Sequence, residues 1–415
     1  MYKSFGISKN TIDFVNTMEN ELSIDFHNIE SIYEHNQLKV LKALIDNEIS
    51  ESHFNESTGY GYNDIGRDKL ESVYSNVFNT EDALVRQQFV SGTHAISLAL
   101  SAILRPRDKI LSITGLPYDT LYKTIGLTDN NSSLKSYGID FDYVELTNND
   151  FDYVKINEKL KNKPKLIMIQ RSRGYSENYP ISISKIKKII DHIKTIDDDI
   201  IIFVDNCYGE FVELNEPTDF GADLMCGSLI KNPGGSLAKS GAYIVGKKNL
   251  IELCAERLTA PGIGKEVGIN FNQNRNVIQG LYLAPQIVSK ALKINKLFAK
   301  SLNYFNIQTI PMHDEEQNDI VLSIIFNDKD RLTNFCNIIQ STSPVDSFLK
   351  PISDDMPGYD DEVIMAAGTF VSGSSIELSC DAPIRPPYIA FLQGGITYYQ
   401  GKLALMKTID QFQLL

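Results

Sequence analysis

The sequence predicts an α/β fold in which a mostly parallel, seven-stranded sheet is flanked by helices, with a smaller α+β unit behind it. Two observations carry this. Between about residues 84 and 246, short apolar runs too brief for helices alternate with amphipathic stretches of crossover length. Strands that are apolar on both faces belong to a sheet covered on both sides. The chain of 415 residues also exceeds the roughly 250 to 300 residues at which one core stops growing, so a second unit is expected.

Taken in order, apolar residues recur at helical spacing from Ile12 to Ile49, most clearly at Leu38, Leu41, Leu44 and Ile45, which predicts a helical arm over 1–56. The loop Ser57 to Arg67 holds three glycines and leads into a helix over Asp68–Phe78. A large unit over 57–290 follows. Its strand candidates are Leu84–Val90, Lys109–Thr114, Phe141–Leu146, Leu166–Gln170, Ile200–Asp205, Leu224–Cys226 and Ala242–Gly246, with Ile183–Ile196 as a crossover helix. The small unit, 291–415, is entered along a helix over Pro285–Phe305. It continues with a strand at Ile320–Phe326, a helix at Asp328–Gln340, a strand at Thr369–Ser379 and a closing helix at Tyr398–Phe412. The Pro-, Asp- and Ser-rich stretch Ser341–Glu362 reads as an exposed, mobile loop.

Composition narrows the partners. Hydrophobic residues at 42% and charged residues at 22%, with 20 Phe and 20 Tyr, describe a packed globular chain. A net charge of −13 opposes nucleic acid and anionic membrane surfaces, so the expected partner is a small molecule. Five scattered cysteines without a C-x-x-C read as reduced thiols, and the N-terminal stretch has no apolar signal-peptide core, so the cytoplasm is the expected compartment. The six histidines show no metal-ligand spacing, and the glycines near residue 60 lack the order of a dinucleotide loop, so neither a metal nor a nicotinamide cofactor is expected.

Three places carry chemistry. Ser91, Gly92, Thr93 and His94 follow a strand candidate and open a helix, which offers free N–H groups to an anion; a plain hydroxyl cap reads the same way. Asp205 ends an apolar run at the carboxyl edge of the sheet, where ligands of open α/β sheets bind. Lys231 lies three residues beyond Ser228 and just before a Pro-Gly-Gly bend, where partial burial would favour an uncharged, nucleophilic amine. Each alone is weak. In order, with 26 residues between Asp205 and Lys231, they are informative together.

That set, with GYGYNDIGRDKLE (59–71), SGTHA (91–95), GLPYDTL (115–121), QRSRGYS (170–176), VDNCYGEF (204–211), GSLIKNPGG (227–235), TAPGIGKEVG (259–268) and APIRPPYIAFLQGGITY (382–398), resembles the methionine gamma-lyase-like branch of fold-type I pyridoxal phosphate enzymes. This branch is also called the aluminium-resistance carbon–sulfur lyase family. The resemblance runs from about Gly59 to Tyr398. It implies that Lys231 carries pyridoxal 5′-phosphate, that Asp205 pairs with the ring nitrogen, and that Ser91, Gly92, Thr93 and Ser228 hold the phosphate. Tyr118, or else His94, would stack on the ring, and Tyr118 would also act as a catalytic residue. Tyr60, Tyr62 and Arg67 would reach the site of a neighbouring subunit in a homodimer or homotetramer, with Tyr62 also touching substrate. Arg385, flanked by prolines, would grip the substrate carboxylate, with Arg173 and Arg171 as rivals. The implied activity is carbon–sulfur bond elimination from an amino acid such as cystathionine or methionine. Aminotransferases and aldol-type enzymes use the same lysine and aspartate, and a carrier of the cofactor would share them too.

Overall fold

In this computed structural model every residue is described except Tyr62, Asn63 and Asp360. The seven expected strands all form and make one sheet: β1 (Asp82–Arg86), β2 (Lys109–Ser112), β3 (Asp140–Tyr143), β4 (Leu166–Gln170), β5 (Ile201–Asp205), β6 (Leu224–Ser228) and β7 (Ala242–Gly246), in the order β1-β7-β6-β5-β4-β2-β3. The pairs from β3 through β6 are parallel, and β7 runs antiparallel to both β6 and β1. Strands such as Leu166–Gln170 are buried because helices cover both faces. The helix Ile183–Ile196 shows how: Ile183, Ile186, Ile189, Ile190 and Ile193, three or four residues apart, all turn to the sheet.

The register of β7 places the site. Ala242 sits opposite both Arg86 and Ser228, so β1 and β6 end at the same edge, and β5, parallel to β6 with Asp205 opposite Cys226, ends toward it too. The segments that leave these strands, 87–94, 206–211 and 229–235, therefore converge. The second of them is anchored from the N-terminal arm. Asn36, buried on the helix Ser23–Asp46, donates its amide to the carbonyls of Phe211 and Glu213.

A second sheet packs behind the first, in the order β10-β11-β12-β13-β9-β8, with antiparallel pairing throughout. Its strands are β8 (Thr309–Ile310), β9 (Val321–Ile325), β10 (Ser353–Asp354), β11 (Val363–Ala366), β12 (Ser379–Pro383) and β13 (Ile389–Gln393). The helix Asn274–Tyr304 serves both cores. Its residues Val277 to Leu292 pack under the large sheet and Ile294 to Leu302 under the small one.

Several expectations need correction. The arm is two helices, Lys9–Glu21 and Ser23–Asp46, and its clearest apolar residues face outward: Leu38, Leu41 and Ile45 are exposed while Ile29, Val40 and Ala43 are buried. The helix expected from Asp68 starts at Ile65, because Asp64 caps it by accepting from the Arg67 amide at 3.0 Å. The helix expected from Pro285 starts at Asn274, with that proline inside it. Thr369–Ser379 is no strand. The Glu377 carboxylate accepts from the amides of Phe370 and Val371 at 2.8 and 3.0 Å, curling the segment into turns, and the strand begins only at Ser379. The Ser375 amide then donates to the Ile230 carbonyl, docking this turn beside Lys231.

The loop bearing Lys231 is seated by backbone against backbone. A Cβ on Gly280 would fall 2.1 Å from the Gly234 carbonyl oxygen, and one on Gly235 2.2 Å from that of Gly280. Gly280→Ala must therefore push this loop off the helix, and it is expected to destabilise the fold by about 1 to 3 kcal/mol. A denaturant midpoint equal to wild type would show that the contact yields without strain.

Candidate active site

Lys231, Asp205 and Ser228 line one cavity of about 240 Å³, together with Ser91, Gly92, Thr93 and Tyr118. These residues come from four separate stretches of chain, joined by the strand register above. Ser91 caps the helix Gly92–Ile103, accepting from the His94 amide at 3.1 Å, and Thr93 pairs with Thr120 at 2.9 Å. A Cβ on Gly92 would sit 3.3 Å from Ser228 Cβ and 3.6 Å from Cys207 Sγ, so glycine keeps this rim narrow. The helix start thus presents N–H groups and hydroxyls to an anion.

Asp205 is buried, and its Oδ1 accepts from the Cys207 amide at 3.1 Å. Lys231 projects over the ring of Tyr208, with Nζ 3.9 Å from the ring centre. Tyr208 reaches this position with φ of 71°, its hydroxyl donating to Ser375 Oγ and its carbonyl accepting from the Ile320 amide. Burial pulls the Lys231 ammonium down, but Cys207 and Tyr208 first, and then Asp205 and Glu210, outweigh that and hold it above its ordinary value. Burial alone therefore does not leave this amine uncharged, because the groups that face it oppose burial.

Tyr118 lines the cavity, whereas His94 does not. His94 accepts from the Val90 amide and packs edge-on against Phe89, the local role of a helix-start residue. Burial pushes the Tyr118 hydroxyl well up, and it pairs with the Tyr359 hydroxyl. Tyr359 comes from the stretch expected to be a mobile loop, so that loop supplies part of the wall.

The arginines lie elsewhere. Arg171 is fully buried and braces the turn after Asp205, bonding Glu213, Asn206 and the Gly209 carbonyl at 2.8 to 2.9 Å with Glu216 at 3.5 Å. Arg173 donates to the Ile310 carbonyl and Ser323 and faces Asp319, tying the end of β4 to the second sheet. Arg385 pairs with Asp361 at 2.8 Å and lines an adjoining cavity of about 280 Å³, which Tyr118 and Tyr175 also line. Arg67 is buried against the Gly59 carbonyl and Asp68, Tyr60 is exposed, and Tyr62 lies outside the described residues.

Sequence reasoning missed Tyr175, Tyr208, Tyr359, Asp381 and Gln393, all on the cavity wall. Tyr175 and Tyr208 fall within the stretches QRSRGYS and VDNCYGEF, and Asp381 directly precedes APIRPP.

Behind Lys231, Glu210 is fully buried, accepting from the Tyr243 hydroxyl at 2.8 Å, and a side chain at Gly227 would collide with it. Burial, helped by Glu216, pushes its carboxyl up to about 8. Between its ordinary value near 4.5 and about 8, the folded chain keeps a proton that the unfolded chain releases, so stability falls as pH rises. Glu210→Gln is expected to remove a slope of up to about 1.4 kcal/mol per pH unit in that window. Denaturation at pH 5 and pH 8 reads this; parallel pH profiles for variant and wild type would contradict it.

The model of the family described as methionine gamma-lyase matches residues 11–413. The chain is 49% identical over 385 residues to the uncharacterized protein YnbB of Bacillus subtilis (strain 168), covering 92% of this chain and 91% of that one. A carbon–sulfur lyase involved in aluminum resistance from Clostridium novyi NT superposes with a TM-score of 0.94 at 47% identity, over 99% of this chain and 97% of that one. The pyridoxal-5′-phosphate dependent protein YhfS of Escherichia coli shares the fold at 14% identity, with a TM-score of 0.61 over 92% of this chain and 97% of that one.

Proposed function

The chain belongs to the methionine gamma-lyase family, and on that premise we propose that it is a pyridoxal phosphate-dependent carbon–sulfur lyase acting on a sulfur-containing amino acid. The observation that carries this reading is one cavity holding an amine, a strand-end carboxylate and a helix N-terminus together. Those three groups fit the three handles of the cofactor: its carbonyl, its ring nitrogen and its phosphate. The narrow rim at Gly92 and Ser228, with the hydroxyls of Ser91 and Thr93, suits a phosphate.

Bound there, pyridoxal phosphate would supply an electron sink for the pair left on the substrate's α-carbon. The protein supplies position and protons. Lys231 Nζ would hold the cofactor and, once displaced by the substrate's amine, take the α-proton. Asp205 would keep a proton on the ring nitrogen. Tyr118, held protonated by burial, can lie against the ring and donate from its hydroxyl to the departing sulfur. With one water consumed, the products are a thiol, ammonia and an oxo acid. The dimer or tetramer with shared sites would bring the exposed Tyr60 loop toward a neighbouring cavity.

Lys231→Ala is expected to lose the visible absorbance that wild type gains with pyridoxal phosphate, and to release no thiol. Wild type with cystathionine or methionine should release thiol, ammonia and oxo acid in equal amounts. Absorbance without thiol would move the reaction to transamination or carriage; no absorbance in wild type would remove the cofactor from this site.

A further inference from the structure

The wall of the cavity contributed by the second sheet has no part in the chemistry above. It includes Asp381 on β12, Gln393 on β13 and Ser374 in the turn before them, beside Met365 and Ala367. Asp381 Oδ2 accepts from Gln393 Nε2 at 3.0 Å. Ser374 is 1% exposed and its Oγ has no hydrogen-bond partner, although the residue lines the cavity. A buried hydroxyl in that state is a place for a ligand's polar group.

Four tyrosines line the same cavity, Tyr175 packing on Phe391 of β13. Tyr175 and Tyr359 stack with centroids 5.3 Å apart, Tyr118 meets them edge-on at 5.6 and 5.8 Å, and Tyr208 lies under Lys231. Aromatic faces beside a carboxylate are the pairing that recognises an ammonium group.

The charges agree with this. Among the described residues lining the cavity there is no arginine, and its ionisable acids Asp205 and Asp381 face the single lysine. Burial pushes the Asp381 carboxyl up despite the opposing pull of Tyr175, Gln393 and Lys231, and a cation beside it would favour its charged form. Of the arginines nearby, Arg171 pairs with Glu213 and Arg385 with Asp361.

We infer that Asp381, Ser374 and the tyrosine box bind a second ammonium group, so that the half of the substrate which departs with the sulfur carries an amine. A plain alkyl thioether, such as methionine, lacks the group this wall is built for. The inference rests on the lyase reading for its substrate but not for its binding.

L-ornithine and L-norleucine have side chains of equal length, end in ammonium and methyl respectively, and contain no sulfur. Calorimetry on the pyridoxal phosphate-loaded protein should show ornithine binding about tenfold tighter or better. Asp381→Asn, with an unchanged melting temperature, should lose that preference. Equal affinity for both, or a preference that survives in Asp381→Asn, overturns the inference. Thiol release from S-(2-aminoethyl)-L-cysteine and S-propyl-L-cysteine is then compared, with the first expected to be faster by a similar factor. Equal rates overturn the inference and leave the lyase standing. An Asp381-dependent preference for ornithine with no thiol from either compound sinks the lyase reading and leaves the ammonium site in place.

Discussion

The reactive groups of this chain share a cavity because one strand runs backwards. β7 pairs antiparallel with both β1 and β6, with Ala242 opposite Arg86 on one side and Ser228 on the other. The helix start at Ser91 and the loop of Lys231 thereby leave the sheet at one edge, and parallel pairing of β5 with β6 brings the turn after Asp205 to it. A one-residue slip in β7 would turn its side chains to the opposite face and separate Ser228 from the anion site it borders.

Holding charged groups at this edge is costly in desolvation, and the surroundings show how that is offset. Lys231 is answered by Cys207, Tyr208 and Asp205, the turn after Asp205 is braced by a fully buried Arg171, and Glu210 avoids charge by keeping its proton. Tyr208 accepts an unfavourable backbone angle to bring its ring under the lysine. Such groups set the ionisation state of the site more firmly than packing alone.

Much of the fold was legible. Runs such as Leu166–Gln170 and Ile201–Asp205 are strands buried on both faces, and that environment leaves continuous apolar stretches in the sequence. Ser91, Asp205 and Lys231 were legible because each stands at the end of such a run. What failed depended on contacts remote in sequence. The settings of Arg385 and Arg173, beside Asp361 and Asp319 and lining one adjoining cavity, were not legible either. Thr369–Ser379 has the residues of a strand, but Glu377 folds it back on itself. Leu38, Leu41 and Ile45 have helical spacing, yet the inward face of their helix is set by Asn36, Val40 and Ala43, one of them polar because it secures the turn near Asp205. Tyr359 and Asp381 carried no local signal, since their significance comes only from what they face.

The cavity's walls come from both sheets, with Asp205 and Lys231 on one side and Asp381 and Gln393 on the other. Whatever fills it touches two cores, adding to the helix Asn274–Tyr304, the packing of Tyr175, Tyr179 and Tyr208 on the second sheet, and polar ties such as Tyr208 to Ser375. A bound molecule therefore acts as a removable crosslink. By mass action, occupancy strengthens the union of the two halves in proportion to the logarithm of ligand concentration, so the supply of whatever binds there and the durability of the chain are thermodynamically one variable.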